Sequence, residues 1–147
     1  MNMDMVNDND SANQEIMQAA SPGDLDALKR QLPSVENLDI QWEQGFTVLM
    51  FAAQNDHHET VELLAANHAS LDITDDIGRT ALYLASEAGH LNCLKILHHY
   101  GASVYIANKD GISPLSIAAK KVINFCVREL VNAGSYIEKK VLRALQL

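Results

Sequence analysis

Three glycines, Gly45, Gly78 and Gly111, stand 33 residues apart, and the residues after each glycine repeat with it. The windows read G-F-T-V-L-M-F-A-A, G-R-T-A-L-Y-L-A-S and G-I-S-P-L-S-I-A-A. A period of this length means one small unit stacked on copies of itself, not a single closed core. It also narrows function. A stack offers a long surface, whereas catalysis needs one unique cluster of unlike groups.

The register extends well past the glycines, with no insertion or deletion. Thr47, Thr80 and Ser113 share one slot, and Leu49, Leu82 and Leu115 share another. Ala52, Ala85 and Ala118 follow, then Val61, Leu94 and Val127, and then Leu64, Leu97 and Leu130. Leu71, Val104 and Ile137 close the unit. A fainter copy precedes these in phase: Ala19 and Ala20 take the alanine slots, Leu28 that of Val61, and Leu38 that of Leu71.

Each copy predicts two short helices. Thr47, Thr80 and Ser113 suit helix N-caps, and Pro114 suits a first helical position. Apolar residues recur at helical spacing over 48–55, 81–88 and 114–121, and second helices follow at about 58–67, 91–100 and 124–133. Gly101 and Gly134 fall where a helix ends in a left-handed residue. His68 takes that place in the second copy, at a cost of about 1 kcal/mol. A helix pair that is apolar on both flanks is buried only by its neighbours.

The pattern resembles the ankyrin repeat, which has this period and the signature T-P-L-H-x-A. S-P-L-S-I-A-A (113–119), A-G-H-L (88–91) and G-A-S-V (101–104) match it best, and the likeness runs from residue 13 to residue 140. It implies an all-α ankyrin-repeat solenoid of stacked helix-turn-helix units with short β-hairpin fingers. The units fall at about 13–41, 42–74, 75–107 and 108–140. Residues 1–12 read as a disordered acidic segment. V-L-R-A-L-Q-L (141–147) reads as a capping helix over an apolar end marked by Phe125. The histidine of the signature is missing, since Met50, Tyr83 and Ser116 stand there. The chain is therefore expected to lean more on packing between finger and helix.

In this family fingers and first helices line a concave groove that holds a protein partner. The resemblance places partner contacts at Trp42, Glu43, Gln44 and Phe46, at Asp76, Ile77 and Arg79, and at Lys109, Asp110 and Ile112 on the fingers. On the first helices it places them at Gln54 and Asn55, at Glu87 with Ala88, and at Lys120 and Lys121. Trp42 stands where the family has aspartate. Trp42, Phe46, Ile77 and Ile112 are expected to project as apolar anchors ringed by polar groups. The competing reading packs Trp42 against Leu38 or Phe46, and makes Arg79 a solvated ion pair with Asp75 or Asp76.

Charge is uneven along the chain. Residues 1–43 carry nine acids and two bases, 44–107 seven acids and two bases, and 108–147 three acids and seven bases. Such a gradient orients a partner or reflects ordinary surface charge. It also leaves open a weak head-to-tail association of an otherwise monomeric chain. Nucleic acid is not expected, because the acidic majority repels phosphate. No stretch approaches the roughly 20 apolar residues of a membrane span, and the N-terminus is not a secretory signal.

Cys93 and Cys126 occupy one slot a unit apart, too distant for a disulfide across packed helices. They read as reduced, buried thiols in a reducing compartment, cytoplasmic or nuclear. Asp56, His57, His58 and Glu59 look ligand-rich, but neighbours on a helix do not converge on one metal. No phosphate loop, nucleophile elbow or Cys–His pair is present. No cofactor, metal or enzyme activity is expected. The reading is an adaptor without chemistry of its own. A small ankyrin-type inhibitor of an enzyme such as a kinase, and a secreted bacterial effector in a host cytoplasm, remain as alternatives.

Overall fold

The computed structural model describes residues 8–20 and 23–134. The segment 141–147 and its expected capping role lie outside the described residues. Eight α-helices follow one another: α1 (Asp8–Ala20), α2 (Leu25–Gln31), α3 (Val48–Gln54), α4 (His58–Ala66), α5 (Ala81–Ala88), α6 (Leu91–His99), α7 (Pro114–Lys120) and α8 (Asn124–Asn132). They pair as α1/α2, α3/α4, α5/α6 and α7/α8. The first helices stack as one layer, α5 lying between α3 and α7, and the second helices stack behind, α6 lying between α4 and α8.

The same local chemistry builds each unit. Thr47 Oγ1 accepts from Met50 N–H at 3.3 Å, Thr80 Oγ1 from Tyr83 N–H at 3.1 Å, and Ser113 Oγ from Ser116 N–H at 3.0 Å. These bonds satisfy donors that a helix start leaves unpaired. Each first helix ends in a left-handed residue, in turn Gly23, Asp56, Gly89 and Val122. The next residue's N–H then reaches back to an alanine carbonyl: Asp24 to Ala19, His57 to Ala52, His90 to Ala85, and Ile123 to Ala118. The second helices end similarly, with His68, Gly101 and Gly134 at positive φ. His68 thus adopts the strained conformation its slot demands.

Residues 33 apart share one environment. Ala52, Ala85 and Ala118 are all fully buried, which lets the first helices approach closely. Leu64, Leu97 and Leu130 are fully buried behind them. The core is accordingly a continuous spine that runs the length of the stack, from Ile16 to Leu130.

Two expectations change. The fingers are not β-hairpins: no strand occurs among the described residues. Each finger closes on two backbone bonds: Trp42 N–H to Phe46 O with Gly45 N–H to Trp42 O, Asp75 N–H to Arg79 O with Gly78 N–H to Asp75 O, and Asn108 N–H to Ile112 O with Gly111 N–H to Asn108 O. Consecutive fingers are joined by one bond each, Asp76 N–H to Gln44 O and Lys109 N–H to Ile77 O. The left-handed glycine turns the chain back after a single pair, so no ladder forms. Secondly, α1 begins at Asp8, inside the stretch 1–12 expected to lack structure. Once Ile16, Ala19 and Ala20 are anchored in the spine, adding helical residues at the free end is cheap.

Candidate protein-binding face

The fingers and first helices form the front of the stack, and their loops are held rigidly. Asp75 Oδ1 accepts from the N–H groups of Ile77 and Arg79 at 3.1 and 2.8 Å. Asn108 Oδ1 does the same one unit later, for Asp110 and Ile112 at 3.0 and 2.9 Å. Trp42 cannot perform this role in the second unit. Gln41 replaces it, its Nε2 donating to the carbonyls of Gly45 and Thr74, both at 2.8 Å. The substitution of a brace one residue earlier was not expected from the sequence. Its signal was the missing aspartate.

Tyr83, in the slot of the family's histidine, is buried on α5, and its hydroxyl accepts from Asn108 Nδ2 at 3.2 Å. Burial, and then the Glu87 carboxylate, raise its phenol above the ordinary 10.0, so it stays neutral. The first helix of the third unit is therefore joined to the finger of the fourth by a polar contact. Packing alone does so only where Met50 stands, fully buried in the unit before.

The expected anchors divide. Phe46 is only 5% exposed, and its ring lies 4.9 Å from that of Phe51. The Arg79 guanidinium sits 5.5 Å above it, a cation–π geometry. Trp42 is half-buried and packs on the core, and Ile112 is half-buried too. Ile77, at 51% exposure, projects freely. The expectation of four projecting apolar residues fails because Phe46 finds a pocket between its own helix and the next finger. Arg79 is likewise no solvated pair. Its Nε lies 2.7 Å from Oδ2 of Asp75, whose side chain is 1% exposed.

The polar candidates face solvent. Glu43, Gln44, Gln54, Asn55, Asp76, Ala88, Lys109, Asp110, Lys120 and Lys121 are exposed, and Glu87 is half-buried. Acidic groups thus front the second and third units, and basic groups predominate in the fourth. A depression of about 280 Å³ lies between the first two of these, lined by Glu43, Gln44, Phe46, Phe51, Gln54 and Arg79.

A family model of ankyrin repeats, in three copies, matches residues 16–108. The chain belongs to the ankyrin-repeat family. Repeats of this family are protein–protein interaction modules, typically without catalysis. A search of curated proteins gave no match to the chain.

The remaining groups of this ankyrin-repeat chain serve its scaffold. Cys93 and Cys126 are buried, unpaired thiols. Burial, then the Asp56 carboxylate 3.7 Å away, push Cys93 up to about 12. Burial, then Glu129, push Cys126 up to about 11. Neither is a thiolate at neutral pH. His90 donates Nε2–H to the Gln54 carbonyl at 3.0 Å, which ties the third unit to the second. Among the described residues no three His, Cys, Asp or Glu side chains converge on a point, and no helix is long and apolar enough to cross a membrane. The sequence reading overlooked one hollow on the back, of about 390 Å³, between α2 and α4. It is lined by Leu25, Lys29, His58, Leu63, Ala66 and Ile96, among others. Periodicity could not reveal it, since it arises where the short α2 leaves α4 uncovered.

Proposed function

We propose that the chain is an adaptor that holds a protein partner against its fingers and first helices. One observation carries this reading. Side chains that the fold does not use collect on the front, and their charge changes sign along it. Glu43, Asp76 and Glu87 precede Lys109, Lys120 and Lys121 in stack order. A partner segment with a basic stretch followed by an acidic one fits this order in one direction only. Ile77 supplies an apolar contact near the centre. Two buried thiols fit work in a reducing compartment, cytoplasm or nucleus.

The test is affinity capture by the intact chain and by an Ile77→Asp, Lys109→Glu variant. Both substitutions sit on exposed fingers, so folding should be retained, as circular dichroism can check. Loss of captured protein from the front variant, with full capture by a back-face Lys95→Glu control, supports the groove. Equal capture by both variants overturns it.

A further inference from the structure

The α7–α8 turn of the fourth unit carries an apolar surface, Val122 and Phe125, that lies outside the groove and shares only Lys120 and Lys121 with it. The turn between α7 and α8 exposes Val122 to 75% and Phe125 to 49%, two of the few large apolar side chains left open to water. Val122 also sits at φ 58, in the slot held by Gly23 and Gly89 in other units. A β-branched residue in left-handed conformation is a genuine backbone outlier, and outliers of this kind mark functional sites. Lys120, Lys121 and Arg128, all exposed, surround the pair in sequence, Arg128 one helical turn beyond Phe125. The nearest acid along the chain, Glu129, lines a hollow on the back with Glu62, Lys95 and His98. The patch is thus apolar at its centre and cationic at its rim.

Its complement is written in the same chain. Residues 1–10 read M-N-M-D-M-V-N-D-N-D, with Met and Val interleaved with Asp4, Asp8 and Asp10. We propose that this segment of one copy docks on the α7–α8 turn of a second copy. The match is one of charge and apolar content together. Residues 135–147, whose last seven are expected from the sequence to cap this end, are a poorer match in charge, because Lys139, Lys140 and Arg143 outnumber Glu138 there.

Within one molecule the acidic residues of this segment do not reach the α7–α8 turn. Asp4 lies four residues before α1, hence within about 14 Å of its start. The fourth unit is three helix spacings away, about 24–30 Å. The start of α1 is also at the finger end of the stack, whereas Val122 is at the opposite, turn end. The contact is therefore heterologous, and it generates open chains of molecules rather than a closed dimer.

Sedimentation velocity on the purified chain tests this without any partner, so it succeeds or fails independently of the groove. At low salt the weight-average sedimentation coefficient should rise with concentration. It should fall to the monomer value near 0.5 M salt, where the screening length is only about 4 Å. Lys121→Glu with Arg128→Glu should abolish the rise, and so should Asp4→Lys with Asp8→Lys. All four substitutions in one chain should restore it, which mere misfolding cannot do. A chain that stays monomeric throughout, or association untouched by either pair, overturns the proposal. So does binding to phosphatidylserine vesicles that Lys121→Glu with Arg128→Glu abolishes, which would make the patch a lipid contact.

Discussion

The third unit and the fourth are built from the same positions, yet they differ in what surrounds them. In α5 six consecutive residues, Ala81 to Ser86, are buried, because α3 lies on one flank and α7 on the other. In α7 burial is confined to Pro114, Leu115, Ile117 and Ala118, and Ser116 and Ala119 face solvent. The glycines diverge in parallel. A Cβ on Gly78 would stand 2.7 Å from the backbone N of Lys109 in the next finger, whereas one on Gly111 meets nothing within 4 Å. Position in the stack, not residue type, sets how strongly each slot is constrained.

Substitutions at equivalent slots break or sharpen this contrast. The largest effect is expected at the core leucines. Leu82→Ala should cost about 2–5 kcal/mol, and Leu115→Ala should fall toward the lower end of that range because its surroundings can collapse. Urea unfolding measures both, and equal losses would mean that the end unit is as tightly enclosed as the inner one. Next come the glycines. Gly111→Ala should cost about 1 kcal/mol for a left-handed alanine alone. Gly78→Ala bears the same strain and a backbone clash, so its melting temperature should fall distinctly further.

The turn slot gives a smaller effect of opposite sign. Val122→Gly should stabilise the chain by about 0.5–1 kcal/mol, as relief of left-handed strain outweighs the entropy of the added glycine. Gly89→Val should destabilise it by the strain of a β-branched residue at φ 78, since the nearest side chain, Ile123, makes only ordinary contact with the new Cβ. Smallest is an alkaline effect at the inner cysteine. Cys93 holds its proton more tightly when folded, up to about 12 against an ordinary 9.0. The stability tied to that proton is therefore full below pH 9 and lost as pH rises from there toward 12. Cys93→Ala should flatten the decline of urea midpoint across that window.

Much of this architecture was legible because it follows from a repeat. Caps at Thr47, Thr80 and Ser113, the alanine seam and the buried leucines each appear three times in the sequence, so chance agreement is excluded. The front face was legible in part. Exposed polar residues such as Glu43, Asp76 and Lys109 sit where the family pattern puts them. Phe46 did not, because its burial depends on Phe51 and on Arg79, which arrives 33 residues later from the next finger. Bulk at a fingertip predicts projection only when no neighbouring unit offers a pocket. Gln41 was hidden for a related reason: it closes one unit, and both its acceptors, Gly45 and Thr74, belong to the next.

Residue-resolved amide hydrogen exchange on the free chain tests the stacking account most directly, since protection reports how much of the structure must open before each amide exchanges. Amides of α5 and α6 should exchange slowest, with those of α7 and α8 faster at every equivalent slot. Protection as strong in α7 and α8 as in α5 and α6 would contradict an account in which neighbours on both flanks hold each unit in place.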